Sequence, residues 1–170
     1  IIVKNKTVAT TDIITIKDRR KESRQAKNSL VVDREALDIA LAVVGVDLDS
    51  TFSLLIELVD AKKGQPYGRA RRTRKGFKVT LAVAGKGHYE DRHIYVINNS
   101  LVHELRHVAQ MQADKNFDRS YKLATLKDGY EANPYEVEAR FFGRLADATG
   151  TKNTGPAGPA MGELVWAIRF

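Results

Sequence analysis

Between Asp33 and Gly45 apolar side chains recur at Ala36, Leu37, Ala40, Leu41 and Val44. That three-and-four spacing puts one apolar stripe on one side of an α-helix. Asp33 ahead of the stripe and Gly45 behind it supply a cap and a stop, so a helix through about Val44 is expected. TDIITIK (11–17), STFSLLIELVD (50–60), FKVTLAVAG (77–85) and RHIYVIN (92–98) are rich in β-branched and apolar residues over strand lengths, and each is read as a strand. The second and third flank AKKGQPYGRARRTRKG, whose glycines and proline mark turns, so they are expected to form a hairpin around a basic loop. Asn99 or Ser100 then opens a second helix with Leu101, Leu105, Val108 and Ala109 as its apolar stripe. After a polar connection, NPYE (133–136) starts a third helix that runs to about Ala148: Asn133 caps it, Pro134 fits its first turn and Glu136 lies three residues past the cap. The order of elements gives an α+β class with a small mixed or antiparallel sheet, a single domain over residues 1–149. GTKNTGPAGPAMG (150–162) reads as a flexible linker, and ELVWAIRF (163–170) as an apolar tail that adds a strand or docks on the surface.

Composition narrows the chemistry. The chain has 170 residues, 43% of them hydrophobic, enough for one buried core. With no cysteine, disulfides and thiolate metal sites are excluded, and a metal ion would have to be held by His, Asp or Glu. No apolar run approaches the roughly 18 residues a membrane helix needs, and IIVKNKTVATTD has no secretion-signal pattern. A cytoplasmic protein without a membrane partner is therefore expected. The net charge of +7 is concentrated in RRKESRQAK (19–27) and RARRTRK (69–75). Such clusters can meet nucleic-acid phosphates or an acidic protein surface, or can be solvated loops. Neither contains an aromatic residue, so the stacking platform of a single-strand binder is missing.

The chemistry-bearing stretch is HELRHVAQ (103–110), which holds two of the four histidines. Residues four apart on a helix project about 40° apart and one turn along, so His103 and His107 stand side by side and can bind one ion. Glu104 lies about 100° round from His103, placed to reach a water on that ion as general base without binding the ion itself. The alternative is a pair of exposed histidines on an amphipathic helix. In a chain of this composition the H-E-x-x-H pattern would arise by chance about once in 200 sequences, which favours a metal site. Arg106 falls on neither the metal face nor the core face and is expected in solvent or paired with a carboxylate.

HELRHVAQ followed by NPYEVEARFFG resembles the minimal gluzincins, the zinc metallopeptidases of the ImmA/IrrE type and the small HExxH proteins often encoded by phages. In that family a short sheet precedes the HExxH helix, and a following helix offers a third ligand in a pattern similar to Glu136-Val137-Glu138-Ala139-Arg140-Phe141-Phe142-Gly143. The resemblance covers roughly residues 77–148. It departs at Arg140, where the family tends to have Asn, and at Gly143, where it has Ala. It implies a zincin-like fold, Zn2+ held by His103, His107 and Glu136, and Glu104 as the base that takes a proton from a zinc-activated water and passes it to the leaving amine. The substrate would be a protein or peptide, paired by analogy along RHIYVIN, and the setting a host-cell cytoplasm or a virion. Tyr130 and Tyr135, with Tyr121 beside them, are candidates for an oxyanion donor, against half-buried packing.

For the third ligand Glu138 competes with Glu136, since the two point about 160° apart on a helix. Periodicity groups Glu138 with Phe141, Phe142 and Leu145 as a core side, and Glu136 with Arg140, Gly143 and Asp147. The small Gly143 would admit the histidine helix, which favours Glu136, although a first-turn glutamate can instead close a capping box with Asn133. His88 and His93 are read as surface or supporting residues, and Trp166 and Phe170 as core packing or as a tail over the cleft. Two further functions remain open on the sequence: a structural or virion-associated zincin fold whose metal does not catalyse, and a basic nucleic-acid-associated protein.

Overall fold

The computed structural model describes residues 7–10, 14–21, 31–48, 52–83, 91–150 and 167–169. Alternation builds its sheet. Ile14 and Ile16 in β2 (Ile14–Asp18), Leu54, Ile56 and Leu58 in β4 (Leu54–Asp60), and Phe77, Val79, Leu81 and Val83 in β6 (Gly76–Val83) are all buried on one face, as a period of two requires. With β1 (Thr7–Thr10) and β5 (Gly68–Thr73), these strands form one mixed sheet in the order β1-β2-β4-β6-β5. β2, β4 and β6 run parallel, whereas β1 and β5 are antiparallel edges.

This order corrects the expected hairpin. STFSLLIELVD and FKVTLAVAG do lie side by side, but parallel, with Leu54 opposite Phe77. The hairpin is β5–β6, made from the segment read as a basic loop, with Thr73 opposite Gly76 across a tight turn. Gly76 has φ of 150°, and a Cβ there would meet the Ser53 carbonyl oxygen, so the turn depends on glycine.

α1 (Arg34–Val44) is the helix that periodicity predicts: Ala36, Leu37, Ala40, Leu41 and Val44 are buried, Asp33 accepts the Ala36 N–H, and Gly45 ends it at φ 82°. β3 (Val31–Val32) pairs with β7 (Ile168–Arg169), so the C-terminal segment contributes a short strand, with Ala167 and Ile168 buried in the core.

The largest correction concerns RHIYVIN. It is not a strand but the first part of α2 (Asp91–Ala113), which runs unbroken into the histidine motif. Strand propensity loses to packing here. Ile97 and Leu101 continue upstream the buried stripe of Leu105, Val108 and Ala109. The fully buried Asn98 donates to the Ile168 carbonyl at 2.8 Å and accepts its N–H at 3.1 Å, which needs a residue projecting from a helix toward β7. The polar connection is a further helix, α3 (Phe117–Ala132), kinked at Gly129 with φ 77°, and α4 (Pro134–Gly150) follows it. Among the described residues no helix is long and apolar enough to cross a membrane. His88, Trp166, Phe170 and residues 151–162 of the expected linker lie outside the described residues, as does the side chain of His93.

Candidate metal centre

α2 and α4 pack against each other and bring the first- and third-ligand candidates together. Ala139 and Gly143 of α4 are buried against α2, and a Cβ on Gly143 would come within 2.9 Å of Asn99 Oδ1, so the small residue does admit the histidine helix. The buried side of α4 is therefore that of Glu136, Ala139 and Gly143, while Phe141, assigned to the core by periodicity, is 57% exposed. Glu136 is not held in a capping box. Asn133 caps α4 through Tyr135 N–H at 3.0 Å, and its own N–H is donated to the Tyr130 carbonyl. That leaves the buried Glu136 carboxylate free to enter the site.

There His103 Nε2, His107 Nε2 and the two Glu136 oxygens converge. The histidine nitrogens are 3.2 Å apart, His103 Nε2 is 3.2 Å from Glu136 Oε2, and His107 Nε2 is 3.2 Å from Glu136 Oε1. Two donors each about 2.05 Å from a tetrahedral ion would be separated by about 3.3 Å. The separation of the two histidine nitrogens fits two ligands of one ion, each histidine faces its own oxygen of the Glu136 carboxylate at a similar distance, and these three side chains could hold a metal ion. A second observation agrees: Glu136 Oε2 is buried with no well-formed hydrogen bond, although His103 Nε2 faces it at 3.2 Å, a costly state unless a shared proton or a cation supplies what is missing.

The surroundings fix the protonation pattern. Gln110 Nε2 donates to the Tyr135 carbonyl at 3.1 Å and to Glu138 Oε2 at 2.6 Å, so its amide oxygen must be the atom that faces His107 Nδ1, 2.7 Å away. An acceptor there requires Nδ1 to carry a proton, so Nε2 is the nitrogen that faces the cluster, protonated in the charged ring and offering a lone pair once that second proton is displaced. Glu138 in turn accepts from Arg106 at 2.6 Å, and Arg106 also donates to the Val44 carbonyl at the end of α1 and stacks over Phe142. Glu138 therefore stands outside the His103–His107–Glu136 cluster and supports it through Gln110. The Arg106 pairing, the largest influence on it, holds its carboxyl below the usual range, against burial and with help from Gln110. Sequence spacing could have found Gln110, which lies one turn after His107 on the same face; no role was assigned to it.

Tyr121 donates to Glu136 Oε1 at 2.6 Å, and Asn133, fully buried, ties α3 to the start of α4 through the Tyr121 carbonyl and Thr125. Burial pushes the Glu136 carboxyl up, but the pull of His103, His107 and Tyr121 outweighs it and leaves the group far below the usual carboxylate range. Burial pushes His107 down, yet Glu136 and Glu104 more than reverse this and favour its charged form. The metal-free cluster thus retains protons that a cation would displace.

Glu104 is buried beside the cluster without belonging to it. It lies against β5, where the Ala70 N–H donates to it and a Cβ on Gly68 would meet its Oε1 at 2.6 Å. Burial raises its carboxyl, against the pull of His107 and His103. Nothing in the sequence tied Gly68 to Glu104, because the contact joins an edge strand to a helix 36 residues on. All four residues open into a cleft of about 420 Å³, walled also by Arg69, Phe117, Asp118, Tyr121 and Tyr130. Of the tyrosines considered as oxyanion donors, Tyr130 lines this cleft and Tyr135 does not: the Tyr135 ring packs edge-on to Phe117, 5.1 Å away. Burial and the nearby Glu136 push the Tyr130 hydroxyl up to about 12, so it keeps its proton. Arg140, the departure from the family pattern, bonds Glu131 and stacks on Tyr130.

The basic clusters divide. The exposed Arg19 pairs with Glu57 at 2.9 Å and the fully buried Arg20 chelates Asp18, so two cations of the 19–27 cluster are already paired within the chain, and residues 22–27 lie outside the described residues. In β5 Arg72 donates to the Met111 and Asp114 carbonyls at the C-terminus of α2. No protein-family model, curated protein or solved structure matches the chain, so the chemistry of the site rests on its own geometry.

Proposed function

We propose that the protein is a zinc-dependent metallopeptidase. The observation that carries this reading is the cluster of His103, His107 and Glu136, with facing atoms 3.2 Å apart in each pair, and the buried Glu104 carboxylate beside that cluster but outside it. Two imidazoles and one carboxylate suit zinc and leave a fourth position toward the cleft. The ion would act there as a Lewis acid and bring a water near neutral pKa. Glu104, with its carboxyl already raised by burial, is suited to accept a proton and return it to a leaving amine. Tyr130 keeps a donor hydroxyl at the cleft wall for a developing oxyanion. The role given by analogy to RHIYVIN passes to β5, the outermost strand of the sheet. Ala70 stands opposite Val79 with its N–H turned away from β6, as its bond to Glu104 requires. This edge flanks the cleft and could pair with an extended peptide.

The presence of Glu104 beside the cluster favours catalysis over a structural metal site, which needs ligands but no base. The test is Glu104→Gln, with Gly68→Ala as companion. Glu104→Gln should keep stoichiometric zinc and the wild-type melting temperature while lowering peptide hydrolysis about 10²–10⁴-fold. Gly68→Ala should also keep zinc but lose activity through displacement of the base. Full activity in Glu104→Gln would overturn the mechanism.

A further inference from the structure

A second cavity lies across β5 from the metal cleft. It measures about 320 Å³ and is lined by Pro66, Gly68, Arg69, Arg71, Lys78 and Thr80, among others. Pro66, Gly68 and Arg69 line the metal cleft as well, so the two cavities adjoin along β5. Lys78 is committed to Glu57 at 2.5 Å. Arg69 and Arg71 are exposed, and among the described residues no carboxylate pairs with either. They stand two residues apart, on the same face of the strand and about 6.8 Å from each other.

We propose that this groove selects the peptide bound in the metal cleft by its acidic side chains, specifically carboxylates at alternate positions. The proposal rests on the peptidase reading for the presence of a peptide, and on the groove for its charge. A peptide added to the β5 edge repeats every second side chain on one face, which matches the spacing of Arg69 and Arg71. Arginine recognises carboxylates through two parallel N–H donors. Nucleic acid is the less favoured occupant, because no aromatic residue lines the groove to stack a base, and a sugar–phosphate backbone cannot continue the hydrogen-bond ladder of a strand edge.

The test separates binding from catalysis. Zinc-loaded Glu104→Gln protein is titrated with three fluorescent peptides of equal length, carrying glutamates at alternate positions, the same glutamates adjacent, or serines in their place, and with a single-stranded thymidine oligonucleotide. The alternating peptide should bind on the order of tenfold tighter than the serine peptide at low salt, and tighter than the adjacent-glutamate peptide. The advantage should shrink as salt is added and disappear in the Arg69→Ser/Arg71→Ser double variant, with partial recovery in Arg69→Lys/Arg71→Lys. Equal affinity for acidic and serine peptides, or an acidic preference that survives the double serine variant, would overturn the proposal. So would tighter binding of the oligonucleotide through the same arginines, which would assign the groove to nucleic acid. Arginine-dependent binding of the alternating peptide without its cleavage by the wild-type protein would leave the groove standing and count against the peptidase reading.

Discussion

The helices around the metal centre and the outer side of β5 use polar residues in opposite ways. Between α2 and α4 the side chains are joined in series: His107 to Gln110, Gln110 to Glu138, Glu138 to Arg106, and Arg106 to the end of α1. Tyr121 and Asn133 close the other side. Such a network holds the donor atoms in place before any ion arrives, as a catalytic or tight-binding site requires. Along β5 the alternation is different. Arg72 is committed to the end of α2, whereas Arg69 and Arg71 on the opposite face have no described carboxylate partner. Cations left in solvent cost little and suit contacts that form and break, so one region is built for fixed geometry and the other for exchange.

The largest effect should separate Glu136 from Glu138, two carboxylates two residues apart on α4. Glu136→Ala removes a ligand and should weaken zinc binding by more than about 100-fold, beyond the range seen for supporting residues. Glu138→Ala should cost less than that. The reverse order, read by competition with a chelating dye, would show that the wrong face of α4 has been assigned to the metal.

A smaller effect is expected at Gln110. Its amide oxygen sets the His107 tautomer, so Gln110→Ala should lower zinc affinity about 10–100-fold while leaving stoichiometry at saturation unchanged. Wild-type affinity in this variant would break the link between the network and the metal.

The smallest effect sharpens the contrast within β5. Arg72→Ser removes two bonds to the last carbonyls of α2 and should lower stability by about 1 kcal/mol, which for a chain this size is about 2–4 °C in Tm. Arg71→Ser should stay within about 0.5 kcal/mol of wild type. Equal Tm losses in the two variants would erase the distinction between committed and free cations.

The same two regions explain what could be read from sequence. His103, Glu104 and His107 were legible because their geometry is local to one helix, and Asp33, Gly45, Asn133 and Pro134 because caps are local too. Gly143 points to the Glu136 side of α4, and its close approach to Asn99 is present in the structure, whereas periodicity alone puts Phe141 on the core side and Phe141 is exposed. The sheet was less legible. Parallel pairing of β4 with β6 joins segments separated by the whole of β5, and no local signal distinguishes that order from a hairpin. RHIYVIN was misread because its helical state depends on Asn98 meeting β7, some 70 residues away in sequence.

The central claim is that His103, His107 and Glu136 form one metal centre, and metal analysis joined to thermal unfolding tests it most directly. Purified wild-type protein should carry one zinc per chain, and a chelator should remove the ion and lower the melting temperature. Because zinc must displace protons from a cluster in which His107 holds its proton above the ordinary histidine value of 6.5, affinity should fall as pH is lowered through that region. Metal content far below one per chain after incubation with zinc, together with a melting temperature indifferent to the chelator, would contradict the account.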